Sequence, residues 1–302
     1  MADYKDPQIG AVRQALAAMT PQIEAPELSY AERRPAMDAF GAASPLPDGL
    51  KVETLVLGGV PAERLTPNGA DAGRILFYVH GGGYCLGSPT SHRALVGRIA
   101  EAAGAVAYVV DYRLAPEHPF PAAVDDAVAA YRAVLDAGVA PGRIVIGGDS
   151  AGGGLTFATA LAIRAAGLPA PGGLYAISPW ADLTQSGAAY VAKAAGDPML
   201  DKAGLDNFAA AYLNGQDGRA PLASPLFGDL AGLPPVLIQV GGEEVLLTDA
   251  TTLAEKIALG GGDVTLRVWP EMIHVWHFFS AQLDAGVRAS QEAGAWIKAR
   301  TA

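Results

Sequence analysis

One cysteine, Cys85, stands in the 302 residues. A lone thiol excludes an internal disulfide and any zinc cluster built on cysteines. Basic residues are scarce as well. The 21 Lys and Arg face 31 Asp and Glu, leaving a formal net charge of −10. Binding a polyanion needs a basic face that displaces counterions, so nucleic acid and anionic membranes are poor partners. No uncharged apolar run approaches the roughly 18 residues that span a bilayer, so no integral membrane segment is expected. The opening Met1-Ala2-Asp3-Tyr4-Lys5-Asp6 lacks a basic start followed by an apolar stretch, so no signal peptide is expected and the location reads as cytoplasmic. Charge of either sign is thin, 17 %, while hydrophobic residues make up 51 % and glycines number 37. That balance excludes disorder and points to a compact, core-rich chain.

Two helical patterns open the chain, about Gln8–Met19 and Ser29–Phe40, set apart by Pro21 and Pro26, and residues 41–49 read as a linker. Short β-branched or aromatic runs then recur at Val52–Leu57, Ile75–Val79, Val106–Val110, Ile144–Ile146, Leu174–Ile177, Val236–Val240 and Val264–Trp269. Ala-rich helical stretches fall between most of them, at 91–103, 122–137, 151–166, 248–259 and 284–300. Near-continuous apolar strands alternating with helices predict a mostly parallel sheet covered on both faces, with ligands bound beyond the carboxyl ends of the strands. Residues 181–230 break the rhythm: they hold one helical piece near 202–213 and no convincing strand. With residues 1–45 they are expected to form a helical cap over the core segments 46–180 and 231–302; the alternative is a surface insertion without a role.

The sharpest motif is Gly148-Asp149-Ser150-Ala151-Gly152, between the strand Arg143–Gly147 and a helix. It fits the G-x-S-x-G nucleophile elbow in its strand–turn–helix setting. Small residues two before and two after the serine let strand and helix approach at a strained turn. The Ala151 N–H at the helix start then faces any oxygen gaining negative charge. A dinucleotide fingerprint would need Gly at 149, which is Asp, and the G-K-[ST] of a P-loop is absent. Upstream, His80-Gly81-Gly82-Gly83 follows the strand Ile75–Val79, and its glycines expose N–H groups suited to an oxyanion hole.

A serine needs a base, and in the α/β-hydrolase order the chain runs nucleophile, acid, histidine. Only His274 and His277 follow Ser150. His274 lies in the loop beyond the last strand, where it can reach back, and His277 is placed to pack one turn later. A metal pair is the rival reading, but no HExxH or other ligand cluster surrounds them. The acid should follow the strand Pro235–Val240, where Glu243, Glu244 and Asp249 all stand. Spacing does not separate them.

From about residue 74 onward the chain resembles the hormone-sensitive-lipase-like branch of bacterial α/β-hydrolase carboxylesterases. The resemblance rests on His80-Gly81-Gly82-Gly83, on Asp111-Tyr112-Arg113-Leu114-Ala115-Pro116-Glu117-His118-Pro119-Phe120-Pro121-Ala122, and on the serine elbow. It implies an α/β-hydrolase fold with a cap. It implies hydrolysis of a small-molecule ester through an acyl-enzyme, with no metal or organic cofactor. The catalytic residues implied are Ser150, His274 and Glu244, with Gly82, Gly83 and Ala151 as the oxyanion hole. The family's acid commonly appears as Asp-Pro-Leu; here Glu244-Val245-Leu246 stands in that place, which favours Glu244 over its neighbours. The Met-x-His pattern matches Met272-Ile273-His274. The middle segment reads as a brace under the site, with Asp149 a partner for its polar groups. Tyr84 is a weaker expectation for lining the substrate pocket, Cys85 for a buried small hydrophobe, and His92 and His118 for structural roles. An amidase or deacetylase using the same triad is the alternative, with a non-catalytic binding protein behind it. Self-association is left open, with a homodimer as its simplest form.

Overall fold

The computed structural model describes residues 5–24 and 27–302, the side chains of 17–24 excepted. Met1–Tyr4, which open the segment scanned for a leader, and Pro26 lie outside the described residues. In chain order the elements are α1 (Pro7–Glu24), α2 (Tyr30–Ala42), β1 (Lys51–Leu57), β2 (Val60–Thr66), β3 (Asp71–Val79), α3 (Pro89–Ala103), β4 (Ala105–Val110), α4 (Ala122–Asp136), β5 (Ile144–Asp149), α5 (Ala151–Ala165), β6 (Gly173–Ile177), α6 (Ala189–Ala192), α7 (Lys202–Leu213), β7 (Val236–Gly241), α8 (Leu247–Leu259), β8 (Val264–Trp269) and α9 (Asp284–Arg300).

The eight strands form one sheet in the order β1-β2-β4-β3-β5-β6-β7-β8. From β4 to β8 every pairing is parallel, while β1–β2 and β2–β4 are antiparallel. Strand side chains alternate between faces, and here both faces are covered. Ile75, Phe77 and Val79 of β3 join one core cluster with Tyr131 of α4, Leu155 of α5 and Leu253 of α8. Leu76 and Tyr78 of the same strand join the opposite cluster with Leu95 and Ile99 of α3 and Ile297 of α9. A strand buried on both sides has no polar alternation to show, which is why these runs read as unbroken apolar stretches.

β2 is the element the sequence reading misses. Pro61, Glu63 and Arg64 hide its pattern, and Glu63 and Arg64 are placed by partners elsewhere: Glu63 pairs with Arg93 at 2.5 Å, and Arg64 with Glu53 at 2.6 Å. The usable signal was the Gly58-Gly59 turn, whose φ values of 58° and 89° close the β1–β2 hairpin. α1 also runs to Glu24, past the expected end at Met19.

α2 begins at a capping box in which the Ser29 side chain accepts from Glu32 N–H and Glu32 accepts from Ser29 N–H. Its Arg34 then fixes it to the core. The guanidinium donates to the Cys85 and Ala115 carbonyls at 3.0 and 3.1 Å and pairs with Glu117 at 2.6 Å. The apolar face of α1 takes a different seat: Ile9, Val12 and Leu16 pack on Met272, Ile273 and Trp276, in and after the loop following β8. Residues 181–230 contain α6, α7 and a short 3-10 turn, with no strand.

α3 and α9 cover one face side by side at a separation only glycine allows. A Cβ on Gly294 would lie 2.5 Å from the Ala102 carbonyl carbon and 2.7 Å from Ala103 N, both rigid helix backbone. Gly294→Ala should therefore destabilise the fold by about 2 kcal/mol. The urea midpoint should fall while the protein keeps a serine that reacts with a small phosphonate; an unchanged midpoint would show that the helices separate freely.

Candidate active site

The parallel register brings the carboxyl ends of five strands to one edge. Val79 pairs with Gly148, Asp149 with Ile177, and Gly241 with Trp269. The loops that follow β3, β5, β7 and β8 carry His80–Gly83, Ser150, Glu244 and His274, so four segments far apart in sequence converge at the carboxyl end of the sheet.

Ser150 has φ 55° and ψ −123°, a backbone conformation that a residue with a Cβ avoids. The surrounding structure holds it there. Its N–H donates to the Ile177 carbonyl at 2.9 Å, and its carbonyl accepts from Gly154 and Trp180 at 3.1 and 2.9 Å. The small flanking residues are required by contact: a Cβ on Gly152 would lie 2.1 Å from the Val79 oxygen and 2.5 Å from the His80 oxygen. A Cβ on Gly148 would meet the Gly152 oxygen at 2.3 Å. The Gly82, Gly83 and Ala151 N–H groups donate to no acceptor among the described residues. Gly82 and Gly83 share a cavity wall with Ser150 and His274.

Three acids were open, and the geometry separates them. His274 Nδ1 donates to Glu244 Oε2 at 2.9 Å. The other Glu244 oxygen accepts from Gly241 N–H at 2.6 Å and from Ser178 Oγ at 2.7 Å, which fixes the carboxylate so that Oε2 faces the ring. Glu243 instead pairs with Lys193 at 3.4 Å. Asp249 is buried against Ala181 N–H, Asp182 N–H and the Tyr190 hydroxyl. Burial pushes its carboxyl up to about 8, against the pull of the two backbone donors. Ser178, the residue that steers Glu244, is missed by the sequence reading; its only signal is its place at the end of the strand Leu174–Ile177.

The histidines divide in the same way. Burial works against a charged His274, but the Glu244 hydrogen bond and charge, with Asp197 adding, outweigh it and raise the ring's pKa above the ordinary value. Burial holds His80 down to about 3, and His277 likewise. His277 Nε2 donates to Gln239 at 2.9 Å and takes no part in the cavity wall. His80 stacks on Tyr112 at 4.3 Å, and the Tyr112 hydroxyl donates to the His80 carbonyl at 2.7 Å. That contact is the brace expected of the 111–122 segment.

Two expectations need correction. Asp149 does not bond the 111–122 segment. Its carboxylate accepts from the Tyr78 hydroxyl at 2.9 Å and Gly81 N–H at 3.1 Å, with His92 Nε2 at 3.4 Å. Burial opposes that charge, but His92 and Tyr78 outweigh it and lower the pKa. Asp149 therefore ties the elbow to the glycine loop. Tyr84 is off the cavity wall: it is 1 % exposed and stacks on Tyr212 at 3.8 Å, so its ring packs the core instead. Cys85 is buried and free.

The cavity measures about 660 Å³. Ser150, His274, Gly82 and Gly83 form one part of its wall, and Leu28, Tyr30, Met37 and Phe40 from the amino-terminal segment meet Leu205 and Phe208 of α7 across the rest. Among the described residues no cluster of His, Cys, Asp or Glu has the arrangement of a metal site.

Many known proteins resemble this chain in sequence and fold. The family described by the alpha/beta hydrolase fold matches residues 76–278. An acetyl-hydrolase of Streptomyces hygroscopicus is 49 % identical over 266 residues, 88 % of this chain and 87 % of its own. An esterase of Acinetobacter venetianus is 34 % identical over 252 residues, 82 % of each chain. The crystal structure of an esterase from the bacterial hormone-sensitive lipase family superposes with a TM-score of 0.95 at 41 % identity, covering 99 % of this chain and 100 % of that one. A crystal of EstE5 soaked with p-nitrophenyl butyrate superposes with a TM-score of 0.93 at 42 % identity, covering 98 % and 99 %.

The electrostatics give an outcome that NMR titration of the imidazoles reads directly. His274 should titrate above 6.5, whereas His80 and His277 stay neutral until about pH 3. Glu244→Gln removes the opposite charge and should lower the His274 midpoint by roughly one unit or more. A midpoint unmoved by that change would mean that the 2.9 Å contact carries no charge interaction.

Proposed function

This chain belongs to the alpha/beta hydrolase fold family, in its bacterial hormone-sensitive-lipase-like branch, and is a carboxylic ester hydrolase; from that premise we propose that Ser150, His274 and Glu244 carry the reaction on esters of short to medium acyl chains. The Glu244–His274 contact at the mouth of the Ser150 elbow is the single observation that carries this reading.

In the proposed cycle Ser150 Oγ attacks the ester carbonyl while His274 Nε2 takes its proton. Glu244, held by Ser178 and the Gly241 N–H, keeps Nδ1 protonated and stabilises the imidazolium that forms. The oxyanion sits between the Gly82, Gly83 and Ala151 N–H groups, which are free to donate; Ala151 opens α5, where the helix dipole adds positive potential. His274 then protonates the departing alcohol, the acyl group stays on Ser150, and a water activated by the same ring releases the acid.

The acyl limit follows from the walls. Residues from 1–45 and 181–230 close over the strand ends as a cap, and the cavity they bound is finite. Each added methylene stabilises binding by about 0.8 kcal/mol only while apolar wall remains to receive it. The names of the relatives, an acetyl-hydrolase and an esterase soaked with a butyrate ester, favour the same range. A cytoplasmic location and a homodimer belong to the same proposal; Val268 on the edge strand β8, 44 % exposed, is what a second copy would cover.

Ser150→Ala should fold normally and lose about three or more decades of kcat. Glu244→Gln should lose roughly two to four decades, by the behaviour of triad carboxylates, while Glu243→Gln and Asp249→Asn lose far less. A crippled Asp249→Asn beside a near-normal Glu244→Gln reverses the acid assignment.

Activity on p-nitrophenyl esters should peak between about C2 and C8 and fall beyond, with no jump as substrate forms an oil–water interface. Phe208→Ala takes a ring out of the wall and should shift the optimum to longer chains by about two carbons. A wild type that prefers emulsified long-chain triglycerides overturns the closed-cavity reading.

A further inference from the structure

Asp197 lies outside the elbow, the glycine loop and the acid loop, yet it touches the last of these. Its side chain is half-buried in the segment between α6 and α7. Oδ1 accepts from Met199 and Leu200 N–H at 2.9 and 3.1 Å, and Oδ2 accepts from Val245 N–H at 3.0 Å. Val245 is the neighbour of Glu244. Met199 and Leu200 stand in the cavity wall with His274, and Met199 also packs on the Met272–Ile273 cluster. One carboxylate thus bonds to both the acid loop and the substrate wall.

The segment around it is tied down from two further directions. Arg13 of α1 donates to the Gly196 carbonyl, and Lys193 pairs with Glu243 at 3.4 Å. Nothing in an ordinary loop requires a carboxylate here. An Asx turn needs only the Met199 and Leu200 contacts, which a neutral side chain also makes. The second oxygen, spent on Val245, is the unexplained part. Partial burial makes a charge there costly and raises the carboxyl's pKa, and its surroundings offset that with three backbone donors and a histidine that becomes cationic in the proposed cycle.

We propose that Asp197 is a positioning residue of the hydrolytic site, holding the Glu244 loop against the cavity wall and adding a second negative charge beside His274. The proposal rests on the reading of Ser150, His274 and Glu244 as the triad. The charged groups facing His274 are Glu244, Asp197 and Asp149, all of which raise its pKa. Asp201 and Arg33 stand on the same cavity wall. Facing Asp197 are His274, which lowers its pKa, and Glu244, which raises it; burial is the larger effect and raises it overall. The sign follows. His274 must be neutral to accept the Ser150 proton, so kcat/KM rises with pH through the His274 midpoint. Removing the Asp197 charge favours the neutral ring, which moves that midpoint to lower pH. It also leaves the imidazolium formed during the reaction less stabilised, which lowers the plateau.

The test is the pH profile of Asp197→Asn and Asp197→Ser on p-nitrophenyl butyrate, with Ser150→Ala alongside and folding checked by circular dichroism. The expected result is an acid limb displaced downward by about half a pH unit or more and a plateau kcat lower by about three- to tenfold, with KM moving less. Profiles that coincide with wild type overturn the inference. A fall in kcat with an unmoved acid limb also overturns it, because it marks Asp197 as a loop support only. If neither variant folds, Asp197 acts in folding and the inference fails. An inactive Ser150→Ala together with an unmoved Asp197→Asn profile leaves the triad standing and removes only Asp197. A fully active Ser150→Ala removes the triad itself and, with it, the ground for a role of Asp197.

Discussion

Backbone meets backbone where β3 and β5 end. With a Cβ on Gly152 only 2.1 Å from the Val79 oxygen, and one on Gly148 only 2.3 Å from the Gly152 oxygen, the elbow and the glycine loop sit at a distance that any side chain would open. That contact sets the rest. It holds Ser150 in its strained turn and brings the start of α5 beside the glycine loop. The strain is maintained by bonds from Ile177, Gly154 and Trp180. These come from β6 and the loop after it and from α5, so no single segment can relax and release it.

Around this point the protein buries several carboxylates, and each is handled by donors before it is handled by cations. Asp149 takes Tyr78 and Gly81, Glu244 takes Gly241 and Ser178, Asp182 takes the Thr184 and Ser186 N–H and hydroxyl groups, and Asp249 takes Ala181, Asp182 and Tyr190. A charge fixed by hydrogen bonds keeps its direction, whereas one fixed by a long flexible cation does not. Direction is what Glu244 needs, since only one of its oxygens serves His274. Asp249 shows the other outcome. It is buried beside Asp182, its pKa is pushed up to about 8, and it braces the 181–190 turn without reaching the histidine.

The loop that carries His274 is also held by a segment far away in sequence. Ile9, Val12 and Leu16 cover Met272, Ile273 and Trp276, and the Lys5 and Asp6 N–H groups donate to Glu271 at 2.9 and 3.2 Å. α2 meanwhile supplies Tyr30, Met37 and Phe40 to the cavity wall. The amino-terminal residues therefore do two jobs, seating the His274 loop and lining the cavity.

What the sequence determined by itself was whatever is written locally. The strand–helix alternation is local because each strand carries its own apolar run, and Gly148-Asp149-Ser150-Ala151-Gly152 is local because strand, turn and helix are contiguous. His274 is nearly so, being one of two histidines downstream of Ser150. Tertiary structure decided the rest. Glu243, Glu244 and Asp249 lie within seven positions of one another; spacing does not separate them, the resemblance favours Glu244, and the direction in which Ser178 and Gly241 turn its carboxylate places it against His274. Tyr84 follows the glycines as a pocket residue would, but a stacking partner from α7, Tyr212, draws its ring into the core. β2 carries one proline, and charges whose partners, Glu53 and Arg93, sit on other elements. Asp197 looks like any loop aspartate until Val245, 48 residues later, donates to it. In most of these cases the deciding partner comes from another segment of the chain, which the residue's own neighbourhood does not name.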